Sequence, residues 1–190
     1  RGRWLFFGDT DGFCRPEMLE EMVSAGERGE ADVVVAGWHV VDEGTGFLSE
    51  RRLPSEWVGA HGAGSCLGGG ANLFLDANPA AWNKLFRSEF VRSNGLEHRP
   101  GRHAESAFFS CAALARAGRT AFMPSSYYYR RETVPASPDA TAQAVREGEL
   151  PADWLSVFAE VKPLLENGDG RLQAQLFGAA VVQLFRILFA

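Results

Sequence analysis

The stretch Arg3–Leu19, RWLFFGDTDGFCRPEML, decides how the rest of the chain is read. Trp4–Phe7 is an apolar run suited to a buried strand. It delivers two acidic residues, Asp9 and Asp11, into a turn, and a helical pattern opens directly afterwards at Pro16. Alternate positions of an extended chain hold two carboxylates about 6 to 7 Å apart, where they repel by roughly 3 kcal/mol at an effective dielectric near 20. Such a pair calls for a cation between them.

Downstream of the turn, Leu19, Met22, Val23 and Gly26 recur at helical spacing, with Gly29 as the stop. ADVVVAGWHVV, Ala31–Val41, is rich in β-branched residues and reads as a buried strand. Strand, helix, strand in that order predicts an α/β class. A weaker strand is expected over Gly46–Leu53, followed by the glycine-rich segment Gly59–Asn72. Its glycines match neither the dinucleotide fingerprint nor the phosphate loop, so it reads as a plain connecting loop or one that covers a substrate.

AWNKLFRSEFVRSNGL, Ala81–Leu96, predicts a short strand running into a helix that stops at Asn94-Gly95. A second helix follows, with Glu105 in its first turn and Phe108, Cys111, Ala112 and Ala115 on the same stripe, and with Gly118 as its stop. RTAFMP is a short strand and SSYYYRRE an aromatic and basic exit from it. Thr133–Ala140 reads as a linker, and helices are expected over about 140–149, 152–166 and 170–189. The last is apolar almost all round but is interrupted by Gln173, Gln175, Gln183 and Arg186, short of a clean membrane span of about 20 residues. It suits a packing helix, a peripheral membrane contact or a partner-helix contact.

The 190 residues carry a net charge of -5, and only two of the 19 basic residues are lysines, Lys84 and Lys162. No basic stripe suggests a nucleic-acid partner. Three cysteines, Cys14, Cys66 and Cys111, lack metal-ligand or redox spacing. A reducing compartment follows, and with no signal peptide at the start the expectation is cytoplasmic, with membrane association through 170–189 as its variant. The chain opens without Met and runs straight into a strand, as a fragment would.

Two carboxylates after a strand have two enzymatic readings. One is a phosphatase of the haloacid-dehalogenase type, which needs a later Lys and a later acidic pair; Lys162 lies in a helical pattern and Asp169 has no acidic neighbour. The other is a hard divalent cation held by one or two carboxylates and completed by phosphate oxygens and water.

Four ordered segments favour the second. RGRWLFFGDTDGFCRPEMLEEM, ADVVVAGWHVV, WNKLFRSEFVRSNGLEHRPGRHAESAFF and YYYRR, spanning residues 1–131, resemble the second half of a family 2 glycosyltransferase of the GT-A fold, from just before its DxD motif. The resemblance implies a partial GT-A domain over 1–131, a mixed sheet flanked by helices, with 132–190 as linker and helical tail. It also implies sugar transfer, usually inverting, from a nucleotide-diphosphate sugar donor to a saccharide or polyol-type acceptor, with Mg2+ or Mn2+. Asp11 would ligate the metal, and Asp9 would contact the metal shell or the donor's ribose.

The family's acceptor base belongs to an E-D pair, and the matching positions here read Glu105-Ser106. The expected Asp is missing, which passes the proton to Glu105 or His103, or leaves a non-catalytic relative serving as a binding module. Trp82, Asn83 and Lys84 suit a site wall of aromatic face, amide and cation; the plainer alternative is a core Trp beside a solvated Lys. Arg130, at the end of the tyrosine run, suits a place beside a leaving diphosphate or simply an exposed strand position. His39 and His61 stand alone, each no more than a candidate ligand.

Overall fold

The computed structural model describes residues 2–59, 70–98, 104–132, 149–166 and 170–188. Its elements are β1 (Trp4–Phe6), β2 (Gly12–Cys14), α1 (Met18–Arg28), β3 (Val33–Asp42), β4 (Leu48–Arg51), α2 (Leu73–Asp76), β5 (Lys84–Arg87), α3 (Ser88–Ser93), α4 (Glu105–Arg116) and β6 (Thr120–Glu132), then α5 (Glu149–Val161) and α6 (Gly170–Leu188). The strands form one mixed sheet in the order β1-β5-β3-β6-β2, with β4 also on β3. Only β3 and β6 run parallel; the other pairs are antiparallel.

The valines of β3 explain its central place. Val33 and Val35 enter a core shared with α2 to α6, whereas Val34 and Ala36 enter a second core under α1. A strand buried on both faces needs apolar residues at consecutive positions. Helix α1 buries Met22 and Gly26 as expected, with Val23 partly buried, but takes Met18 into the core and leaves Leu19 exposed. Gly26 is required by close approach: a Cβ there would lie 2.5 Å from the Trp4 ring.

Three expectations are corrected. The turn does not pass directly into a helix, because Gly12–Cys14 first zips onto β6 as β2. The proposed short strand and its exit are one 13-residue strand, β6, whose two register shifts against β3 absorb the extra residues around Pro124 and Tyr127. The helix expected over 152–166 is α5 followed by a 3-10 turn at Lys162–Leu165, where Pro163 has no N–H to continue the ladder. The Asn94-Gly95 stop is as expected, with Gly95 at φ +58°. The glycine-rich loop between 60 and 69, the linker and the 140–148 helix lie outside the described residues.

Helix α4 is buried on nearly every side, Ala107 to Leu114 lying between the sheet and α5. Val157, Phe158, Val161, Leu172, Leu176 and Ala179 of the C-terminal helices belong to the same core as β3. Gln175 of α6 docks like a strand: its amide accepts from Leu73 N–H and donates to the Ala71 carbonyl. The outer face of these helices carries Leu155, Phe177 and Phe185 exposed. No described helix is long and apolar enough to cross a membrane.

Lys84 is the structural surprise, fully buried at the start of β5. Its ammonium lies 2.9 Å from the Ala77 carbonyl, 2.6 Å from Asn78, 2.7 Å from Ala80 and 2.7 Å from Asn83 Oδ1. Four oxygens thus share an ammonium's three N–H groups, while burial opposes the charge and pulls its pKa from 10.5 to about 7, with Cys111 a smaller opposing influence. Replacing Lys84 by Met would remove the donor to the Asn78 and Ala80 carbonyls and to Asn83 Oδ1, the Ala77 carbonyl keeping its bond from Asn83. We expect a loss of about 3 kcal/mol and a fall in Tm of about 10 °C. Between pH 7 and 9, below the range where the buried Cys111 thiol acts in the opposite sense, the unfolded lysine holds a proton that the folded one has lost, so wild-type stability should rise with pH there. Melts across that range should show this slope in the wild type and not in Lys84→Met.

Candidate functional site

β1 ends at Phe6 and releases the chain into the turn Asp9–Gly12, closed by Gly12 N–H on the Asp9 carbonyl at 3.4 Å. The turn sits against the far end of β6. Gly12 pairs with Arg130 and Cys14 with Tyr128, and Arg131 N–H donates to the Asp11 carbonyl at 3.0 Å. Residues more than a hundred positions apart therefore build the site together.

Asp9 is exposed, its Oδ1 accepting Thr10 N–H at 2.9 Å. Asp11 is half-buried, with Oδ2 3.9 Å from the Arg130 guanidinium. The cation demanded by the acidic pair is thus in part Arg130. It lies 5.8 Å over the Trp82 ring, which stacks on Tyr128 at 4.8 Å and meets Trp38 edge-on at 5.8 Å. Two atoms in this group are sealed from solvent without a hydrogen-bond partner, Asp11 Oδ1 and Arg130 Nε. They carry opposite charge and belong to neighbouring side chains.

The second group expected at the site is placed differently. Trp82 is 3% exposed, and Asn83 and Lys84 are fully buried. Asn83 donates to the carbonyls of Ala36 and Ala77 and accepts from Lys84, so its amide is spent within the chain. Instead of lining a wall, these three residues support one. The physical reason is the turn Ala77–Ala80, where Asn78 adopts φ +63° and the carbonyls of Ala77, Asn78 and Ala80 all meet the Lys84 ammonium.

Ser106, in place of the family's Asp, accepts Ala81 N–H at 2.9 Å. That bond ties the start of α4, and with it Glu105, to the residue beside Trp82. The side chain of Glu105 and all of His103 and His61 lie outside what is described. His39 stands on the opposite sheet face, stacked with Tyr129 at 4.5 Å, and Tyr129 stacks in turn on Phe13 at 4.8 Å. Tyr128 and Trp38 were not singled out by the sequence; a run of three tyrosines does not reveal which ring turns toward the acidic turn.

Magnesium or manganese is the metal implied by the family. No group of three or more His, Cys, Asp or Glu side chains that could hold a metal ion occurs among the described residues. The unpartnered Oδ1 of Asp11, in the same turn as the exposed Asp9, fits a cation that draws its other ligands from water and phosphate.

Comparison with known proteins places this arrangement in a class. Residues 1–118 match the model of Glycosyl transferase family 2, and the chain belongs to that family. This removes the phosphatase reading. Among solved structures it is similar to S. aureus TarS 1–349 in complex with UDP, at 16% identity and a TM-score of 0.63, over 97% of this chain and 48% of that one. TarS 1–349 in complex with UDP-GlcNAc gives 16% identity and 0.62, over 100% and 49%. At such identity the likeness shows the fold, a GT-A-like mixed sheet flanked by helices, and the chain spans about half the length of those structures. No curated protein sequence matches.

If Trp82 is the keystone of the stack, Trp82→Ala should cost about 3 to 5 kcal/mol in denaturant unfolding, and Trp82→Phe less than half of that.

Proposed function

We propose that the chain carries the metal and acceptor side of a glycosyltransferase that moves a sugar from a nucleotide-diphosphate donor to the hydroxyl of a saccharide or polyol. The observation that carries this reading is the Asp11 carboxylate facing the Arg130 guanidinium at 3.9 Å, both side chains partly open to solvent, 44% and 39% exposed. A metal-bound diphosphate offers a partner to each: a cation for the carboxylate and an anionic oxygen for the guanidinium. The complexes of TarS with UDP and UDP-GlcNAc support a uridine donor.

In this reading Asp11 and Asp9 hold Mg2+ or Mn2+, which when bound would neutralise the diphosphate and assist its departure as a Lewis acid. Arg130 sits beside the leaving diphosphate, with its guanidinium 5.8 Å over the Trp82 ring. Glu105, at the first position of α4, takes the proton of the acceptor hydroxyl. The acceptor oxygen bonds to the anomeric carbon as the carbon–diphosphate oxygen bond breaks on the opposite face, so the configuration inverts. Ser106 keeps α4 in register, and His103 stands near enough in sequence to assist. The exposed Leu155, Phe177 and Phe185 support a membrane-surface or partner contact along 170–189.

Calorimetry on the full-length protein with UDP, GDP, CDP and dTDP should show Mn2+-dependent binding of UDP, lost in Asp11→Asn. Absence of binding for every nucleotide would overturn the donor-site reading. Glu105→Gln should lower kcat by about 10² to 10⁴ with donor binding kept. Ser106→Asp, whose carboxylate can still accept Ala81 N–H, should change kcat by no more than a few-fold. A large rise there would mean that Glu105 is not the base.

A further inference from the structure

One side chain governs the geometry of the acidic turn without belonging to it. The Tyr128 hydroxyl accepts Asp9 N–H at 3.1 Å and donates to the Asp9 carbonyl at 3.3 Å. A single phenol thus holds both backbone groups of the residue that opens the turn. The ring reaches Asp9 by crossing Gly12, where a Cβ would stand 2.1 Å from the hydroxyl oxygen and 2.4 Å from the ring carbons Cε1 and Cζ. The fourth residue of DTDG is therefore glycine because of a tyrosine over a hundred positions away.

The ring is itself held in place. It stacks on Trp82 with 22° between planes and packs against Phe6 at 6.4 Å. Tyr128 precedes Arg130 by two positions on β6, and the β2 pairing places Gly12 opposite Arg130. One strand segment therefore delivers both the hydroxyl that fixes the turn and the guanidinium that faces Asp11.

We propose that Tyr128 is the positioning residue of the carboxylate turn, its hydroxyl setting the directions in which Asp9 and Asp11 present oxygens to a divalent cation and its diphosphate. The inference rests on the donor-site reading of that turn. It assigns a role to a side chain that touches neither metal nor sugar.

The test is Mn2+ titration of the full-length protein in the presence of UDP, followed by electron paramagnetic resonance of the free ion. Tyr128→Phe keeps the stack on Trp82 and removes only the oxygen. It should weaken Mn2+ binding by about 10- to 100-fold, as loss of an outer partner of a metal ligand does, and shift Tm by only a few degrees. Gly12→Ala, which displaces the ring, should reproduce the loss. Mn2+ affinity within twofold of wild type in Tyr128→Phe or in Gly12→Ala, with Asp11→Asn still defective, would overturn the positioning role and spare the donor site. No Mn2+ binding by the wild type with UDP would remove both.

Discussion

The four oxygens around the Lys84 ammonium are the constraint from which the site is built. An unpaired buried lysine would be costly, and here the cost is offset because three carbonyls of one turn and the Asn83 amide converge on it. The same Asn83 reaches the Ala36 carbonyl on β3, so the turn is fastened to the central strand. With the turn fixed, Ala81 N–H is aimed at Ser106 and Trp82 is held for its stack on Tyr128. From there the line of contact passes through the tyrosine hydroxyl to Asp9. A buried amine thus orients polar groups at the surface that it never touches.

Much of the scaffold was legible in the chain. The valine run of β3, the Asn94-Gly95 stop after α3 and the long α4 follow from β-branching, left-handed glycine geometry and helical periodicity. β2 was not, because three residues such as Gly12–Cys14 have no periodicity of their own and are a strand only by virtue of β6. Nor was the continuity of β6. Its bulges let Tyr127 and Tyr128, adjacent in sequence, enter the same core, which defeats any reading based on alternation.

The candidate site was legible where chemistry is local and illegible where burial decides. Asp9 and Asp11 announce themselves by spacing, and Arg130 by its place after the aromatic run. Asn83 and Lys84 look like surface groups since their partners are main-chain oxygens, and the conformation that gathers those oxygens, with Asn78 left-handed, leaves no signature in side-chain type. Ser106 reads as a lost catalytic residue, yet its hydroxyl has a definite acceptor role. Tyr128 hides among three tyrosines, and its trace elsewhere is Gly12, whose missing side chain makes room for the ring.

The bond between Asp9 and Tyr128 joins residues 119 positions apart. During synthesis at about 5 to 20 residues per second, the strand that shapes the acidic turn is made roughly 6 to 24 s after the turn itself. The two aspartates therefore leave the ribosome as an unshaped acidic segment with β2 unpaired. The shape of the acidic turn therefore waits for β6, and the order of synthesis makes the turn the last part of its own sheet edge to be defined.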